Sequence, residues 1–212
     1  ESHFLAYVAR KQKPIFLSTG MCTMTEVREA VEVIRSEGNS QIVVLQCTTN
    51  YPSSIADCNL RAMLTMRRQL DVLVGYSDHT MGSVAAETAV ALGAHVIEKH
   101  FTLDRGLPGP DHRCSMTPSE FNDMQRRIRD VEACVGSATK APTESEKKNA
   151  KGMRRSLISA CLIKAGTELS WDNLRLRRPG TGITGFRIEK VLGKKAAVDI
   201  FPGTIVMPEM IR

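Results

Sequence analysis

The sequence predicts an α/β chain: a parallel sheet of about four βα units followed by a small β-rich domain. Three observations predict it. Over residues 1–136 short apolar runs alternate with helical patterns, the signature of βα units. Over 137–151 that periodicity vanishes and Lys, Glu, Ser, Thr and Pro dominate, as in a linker. Over 152–212 the chain repeats itself: Ala165-Gly166-Thr167-x-Leu169-x-x-Asp172-Asn173-Leu174 returns 37 residues later as Pro202-Gly203-Thr204-x-Val206-x-x-Glu209-Met210-Ile211. That repeat predicts two similar β-rich halves in one small domain.

The elements follow in order. The opening Phe4-Leu5-x-Tyr7-Val8 resembles the end of a helix. Pro14 to Thr19 reads as a strand, and Thr23-x-x-Glu26 as a capping box. It opens a helix whose Val27, Ala30, Val31 and Ile34 share one face, with a stop at Gly38. Gln41 to Thr48 is the second strand, with a weaker helical pattern near Leu60, Met63 and Leu64. Val72 to Ser77 is the third, followed by the Ala-rich stretch Val84 to Leu92. His95 to Phe101 is the fourth. A second capping box, Thr117 to Glu120, opens the helix that turns Phe121, Met124, Ile128, Val131 and Val135 inward and ends at Gly136. Four units cannot close an eight-stranded barrel, and an open parallel sheet buries both faces. The chain is therefore expected to be incomplete.

Composition excludes several classes of function. Hydrophobic residues make up 42% of the 212 and charged ones 25%, as in ordinary globular proteins. The longest apolar runs, such as Ile42 to Leu45, fall far short of the roughly 20 residues of a membrane helix. No charged leader precedes an apolar stretch. A soluble, cytoplasmic protein without a membrane partner is expected. The six cysteines, Cys22, Cys47, Cys58, Cys114, Cys134 and Cys161, form no C-x-x-C pair and are expected as reduced, separately packed thiols. The formal net charge is +6, concentrated in Arg126/Arg127/Arg129, Lys147 to Arg155, Arg175 to Arg178 and Lys194/Lys195. A solvated surface accounts for it, as does a field that attracts small anionic substrates. With 5% aromatic residues and no nucleic-acid-binding signature, no nucleic-acid partner is expected.

In parallel α/β folds the active site gathers at the C-terminal ends of the strands. That rule selects Ser18-Thr19-Gly20, Thr48-Thr49-Asn50-Tyr51-Pro52, Ser77-Asp78-His79-Thr80 and Glu98-Lys99-His100-Phe101. Strand alternation puts Ser77 with His79, and Glu98 with His100. Two imidazoles from neighbouring strand ends can hold one divalent ion and leave room for water and a substrate oxygen, whereas a single such histidine is usually a hydrogen-bonded rim residue. The Gly/Pro-rich loop after the fourth strand is a rigid turn, or it holds Asp111 over the strand ends to accept sugar hydroxyl protons. Tyr51 is divided between rim packing and substrate contact. Ser18 and Ser77 either cap turns or donate to phosphate or carboxylate oxygens.

With these residues laid out, the chain resembles the N-acetylneuraminate synthase family along nearly its whole length. The matching stretches are LSTGM (17–21), CTTNYP (47–52), NLRAM (59–63), GYSDHTMG (75–82), ALGAHVIEKHFTLDR (91–105), PGPDH (108–112), KAGTELSWDNLRLRRPGTGI (164–183) and VLGKKA (191–196). The resemblance implies the C-terminal half of a (β/α)8 TIM barrel over 1–136, a linker over 137–151 and a β-clip SAF (antifreeze-like) domain over 152–212. It implies that His79 and His100 bind Mn2+ or Mg2+. Ser18 and Ser77 are then phosphoenolpyruvate contacts, with Thr49 where the family often carries Asn or Ser. Tyr51 and Asp111 contact the acceptor sugar. Arg178 reaches its N-acetyl group from the SAF domain of a partner subunit in a domain-swapped homodimer.

The implied reaction joins C3 of phosphoenolpyruvate to the open-chain aldehyde of N-acetylmannosamine, with phosphate lost by C–O cleavage. Asp78, Glu98 or Asp111 is expected to orient water or sugar. The family's first four βα units have no counterpart here, so the chain alone is expected to be weakly active or inactive. The alternatives are a legionaminic-type synthase and a sugar-binding fragment without turnover. The PGPDH loop argues against the pseudaminic type.

Overall fold

A computed structural model describes all residues, 1–212, and divides into two compact units, Glu1–Ser137 and Ala138–Arg212.

The first unit opens with helix α1 (Ser2–Ala9) and runs β1 (Ile15–Ser18), α2 (Met24–Ser36), β2 (Ile42–Cys47), α3 (Ala62–Leu70), β3 (Leu73–Asp78), α4 (Val84–Ala91), β4 (Ile97–Lys99) and α5 (Pro118–Val135). The four strands pair in chain order, all parallel. A βαβ crossover explains why: each helix returns the chain to the sheet's starting edge. All four C-terminal strand ends therefore share one rim. Both expected capping boxes are present, Thr23 with Glu26 and Thr117 with Glu120.

One face of the sheet packs against the helices. Val44, Val74 and Tyr76 are completely buried there with Val31, Ile34 and Met63. That face also carries a buried ion pair, Lys99 Nζ to Asp78 Oδ2 at 2.8 Å, and Asp78 Oδ1 accepts from Thr80 N and Oγ1, each at 2.8 Å. The opposite face presents Phe16, 56% exposed, and Leu73, 52% exposed. On it, Gly75 lets neighbours close in: a Cβ there would stand 2.5 Å from the Val96 carbonyl and 2.6 Å from Leu45 Cδ2.

Three expectations need correction. β4 ends at Lys99 rather than Phe101, so His100 lies just past the ladder. Val135, expected inward on α5, is exposed; the packed face of that helix is made by Phe121, Met124 and Ile128, nearer its start. The expected linker holds a helix, α6 (Glu144–Met153), opened by a third capping box: Thr143 N donates to Glu146 Oε2 at 2.7 Å and Glu146 N to Thr143 Oγ1 at 3.2 Å. No residue of α6 is buried, so it has no apolar stripe for periodicity to detect.

In the second unit, β5 (Ser156–Ser159) pairs antiparallel with β6 (Leu174–Arg177) over a core of Leu157, Ile163, Leu169, Leu174, Ile200 and Val206. The repeat appears as a local twofold. Ile163 N donates to Ile200 O at 2.9 Å and Ile200 N to Ile163 O at 2.8 Å, although the two are equivalent positions of the repeat. Gly166 N to Ala196 O has its mate in Gly203 N to Ser159 O, and Leu169 N to Lys194 O has its mate in Val206 N to Leu157 O. Both glycines turn with positive φ, +87° and +78°. No helix of the protein is long and apolar enough to cross a membrane.

Candidate active site

At the rim, strand register and alternation do the positioning. Ser77 lies opposite Cys47 on one side and Glu98 on the other, and its Oγ donates to Glu98 Oε1 at 2.6 Å. Two residues beyond Ser77, on the same face, His79 is nearly buried, with Nδ1 2.8 Å from the Thr48 carbonyl. A carbonyl only accepts, so Nδ1 carries the proton and the Nε2 lone pair is the one left for a ligand. Cys47 Sγ lies 3.9 Å from the same Nδ1.

Three rings converge above this bond. His79 and His100 meet edge to face, centroids 5.1 Å apart, and Tyr51 covers both at 4.2 Å and 5.4 Å. Burial pushes the Tyr51 phenol up, and electrostatic repulsion from Cys47, Asp111 and Glu98 adds to it. Tyr51 thus stays a neutral hydroxyl donor across the ordinary pH range.

The loop after β4 is strapped over the rim. Met116 N donates to His100 O and Thr102 N to Met116 O, each at 2.8 Å. Arg105 reaches Ser115 O and grips both oxygens of Glu120, at 2.9 and 2.8 Å. Thr102 Oγ1 sits 2.8 Å from His112 Nδ1. Asp111 immediately precedes a 3₁₀ turn, His112–Cys114, and its Oδ2 stands 4.0 Å from His100 Nδ1. Between His100, Phe101, Pro110, Asp111 and His112 opens a cleft of about 300 Å³.

Tyr51, Ser77, His79, Glu98, His100 and Asp111 are therefore gathered in one place. Ser18, the last residue of β1, and Thr49, two residues past β2, lie on the same rim; a Cβ on Gly20 would meet Thr49 Oγ1 at 2.9 Å. Asp78 must be corrected. Alternation turns it to the helix side, where Lys99 and Thr80 engage both its oxygens, so it cannot orient water or sugar at the rim. Arg178 lies in the second unit, exposed, with Nε donating to Met153 O at 3.1 Å. Two features escaped sequence reasoning: the role of the Thr48 carbonyl, since backbone acceptors leave no side-chain signature, and the stacking of Cys114 on Asp111, which the 3₁₀ turn creates.

The donor set fits a divalent ion. A neutral imidazole with its proton pinned by a carbonyl and a second imidazole edge-on to it are the ligands such an ion takes, with a carboxylate at hand for charge.

Comparison with known proteins places these features in context. The NeuB family matches residues 1–140 and the SAF domain residues 154–212. An N,N'-diacetyllegionaminic acid synthase of Legionella pneumophila is 42% identical over 212 residues, 98% of this chain and 60% of that protein. A pseudaminic acid synthase of Campylobacter jejuni is 36% identical over 200 residues, 94% of this chain and 58% of that one. The crystal structure of a Leptospira borgpetersenii N-acetylneuraminic acid (sialic acid) synthetase superposes with a TM-score of 0.65 at 31% identity, over 69% of this chain and 51% of that one. The chain spans about 60% of the length of the curated relatives it matches.

Proposed function

The chain belongs to the NeuB family, and from that premise we propose that it is the metal-binding part of a nonulosonate synthase, which condenses phosphoenolpyruvate with an acetamido sugar. The observation that carries this reading is the pair of imidazoles of His79 and His100, edge to face under Tyr51 at the ends of parallel strands.

In this reading His79 and His100 hold Mn2+ or Mg2+, and the Thr48 carbonyl keeps His79 in the tautomer that presents Nε2. A divalent ion, when bound, supplies Lewis-acid polarisation of the acceptor's open-chain aldehyde. Tyr51 covers the site and donates its hydroxyl to the sugar. Asp111 accepts from sugar hydroxyls and fixes the acceptor's rotation. Glu98, oriented by Ser77, is the carboxylate placed to hold water against the reacting carbon. Ser18 and Thr49 donate to phosphoenolpyruvate oxygens, Ser77 joins them by turning its one hydroxyl proton away from Glu98, and Arg178, supplied by a second subunit of a homodimer, takes the acetamido group. C3 of phosphoenolpyruvate bonds to the aldehyde carbon, water adds at C2, and phosphate leaves with its bridging oxygen.

For the acceptor, 42% identity to a legionaminic acid synthase against 31% to a sialic acid synthetase favours a diacetamido hexose over N-acetylmannosamine. Identity of 42% to a legionaminic acid synthase against 36% to a pseudaminic acid synthase supports the former type, in line with the reading of the PGPDH loop.

The test begins with metal. The purified chain is expected to retain about one Mn2+ on dialysis, and the His79→Ala, His100→Ala double variant to retain at least tenfold less; equal content in both would remove the site. Phosphate release from phosphoenolpyruvate is then compared for the two acceptors in the whole protein. Faster turnover of N-acetylmannosamine would overturn the diacetamido assignment and leave the synthase reading standing.

A further inference from the structure

We propose that Cys114 joins His100 and Asp111 in a thiolate-containing metal site, which takes a borderline-soft divalent ion such as cobalt(II) or zinc(II). The inference rests on His100 being a ligand, as in the proposed function, and adds sulfur to its surroundings.

Ligand atoms of these three side chains all lie within 4.8 Å of one another. The 3₁₀ turn creates the arrangement. Asp111 is its N-cap and Cys114 its last residue, and at three residues per turn side chains three apart eclipse. The Cys114 thiol donates to the carbonyl of Asp111 itself at 3.2 Å, which holds the sulfur over that residue. Asp111 Oδ2 faces His100 Nδ1, and the Met116 N bond to the His100 carbonyl fixes the far side of the turn against that histidine.

An ion equidistant from three atoms spaced at that limit would sit about 2.8 Å from each, against bonds of about 2.0–2.3 Å to zinc. Closure by less than about 1 Å per ligand completes the site. The side chains are free to make it: Asp111 is exposed and Cys114 only partly buried. On binding, the sulfur–metal bond replaces the S–H bond and the proton leaves to solvent. The Cys114 thiolate and the Asp111 carboxylate, the latter withdrawn from the sugar, then balance the ion's two charges. A thiolate shifts preference away from hard ions, which take oxygen, towards cobalt and zinc.

The test is cobalt(II) titration of the whole chain, followed by absorbance and by bound cobalt after dialysis. A near-ultraviolet thiolate-to-cobalt band is expected to saturate at about one ion per chain. It should fall at least tenfold in Cys114→Ser and Cys114→Ala and survive in Cys47→Ala, the control for the thiol beside His79. Circular dichroism checks that each variant is folded. Bound cobalt without a sulfur band overturns this inference alone, as does a band that survives in Cys114→Ala. Failure to bind cobalt at all overturns it together with the metal reading of His100.

Discussion

The two faces of the four-stranded sheet are made from the same strands and have opposite chemistry. On the helix side Val44, Val74, Tyr76 and the Asp78–Lys99 pair are sealed from water. On the other side Ser77, His79, Glu98 and His100 meet at the rim, two imidazoles edge to face beside a carboxylate that accepts from a serine. Ser77, Asp78 and His79 are consecutive, yet the middle one is sealed into the sheet while its neighbours face the candidate site. Alternation lets one strand serve both ends without compromise.

The sharpest way to break that division is Lys99→Met. It strands the Asp78 carboxylate, fully buried, and is expected to cost about 3–5 kcal/mol in urea denaturation. Metal content per folded chain should not change; a change would show that the buried pair also shapes the site. Next in size is Gly75→Ala on the other face, where the added methyl meets the Val96 carbonyl and Leu45, for an expected loss of about 1–3 kcal/mol by overpacking. The smallest is Thr117→Ala, about 1 kcal/mol through the lost cap. Hydrogen bonds from Thr117, first backbone and then side chain, followed by Arg105, hold Glu120 below the usual carboxylate range. A depressed carboxyl stabilises the fold above its unfolded pKa and ceases to as pH falls through its folded value. The gap between Thr117→Ala and the parent should therefore narrow in acid, measured by melting at neutral and acid pH.

Much of this was legible in the sequence because it rests on local signals. Apolar runs marked all four strands, and Thr-x-x-Glu marked two helix starts that the structure repeats. The same signal at Thr143 went unread because α6 buries nothing and so has no stripe beside its cap. At the site, the strand-end rule gathered Tyr51, His79, Glu98 and His100 on one rim. It misassigned Asp78, because it selects stretches of chain and only alternation selects faces. Cys114 stayed hidden since a solitary cysteine in a Gly/Pro-rich loop gives no hint of the 3₁₀ turn that stacks it on Asp111.

The reciprocal bonds of the second unit have a consequence of their own. When residue i contacts j and j contacts i, the pattern is that of an isologous dimer, yet here both partners are tethered on one thread. Covalent joining replaces a bimolecular encounter with a local concentration on the order of millimolar. Two segments too short to persist separately thereby hold together at any dilution, and each can drift in surface sequence so long as Ile163 and Ile200 continue to shake hands across the axis.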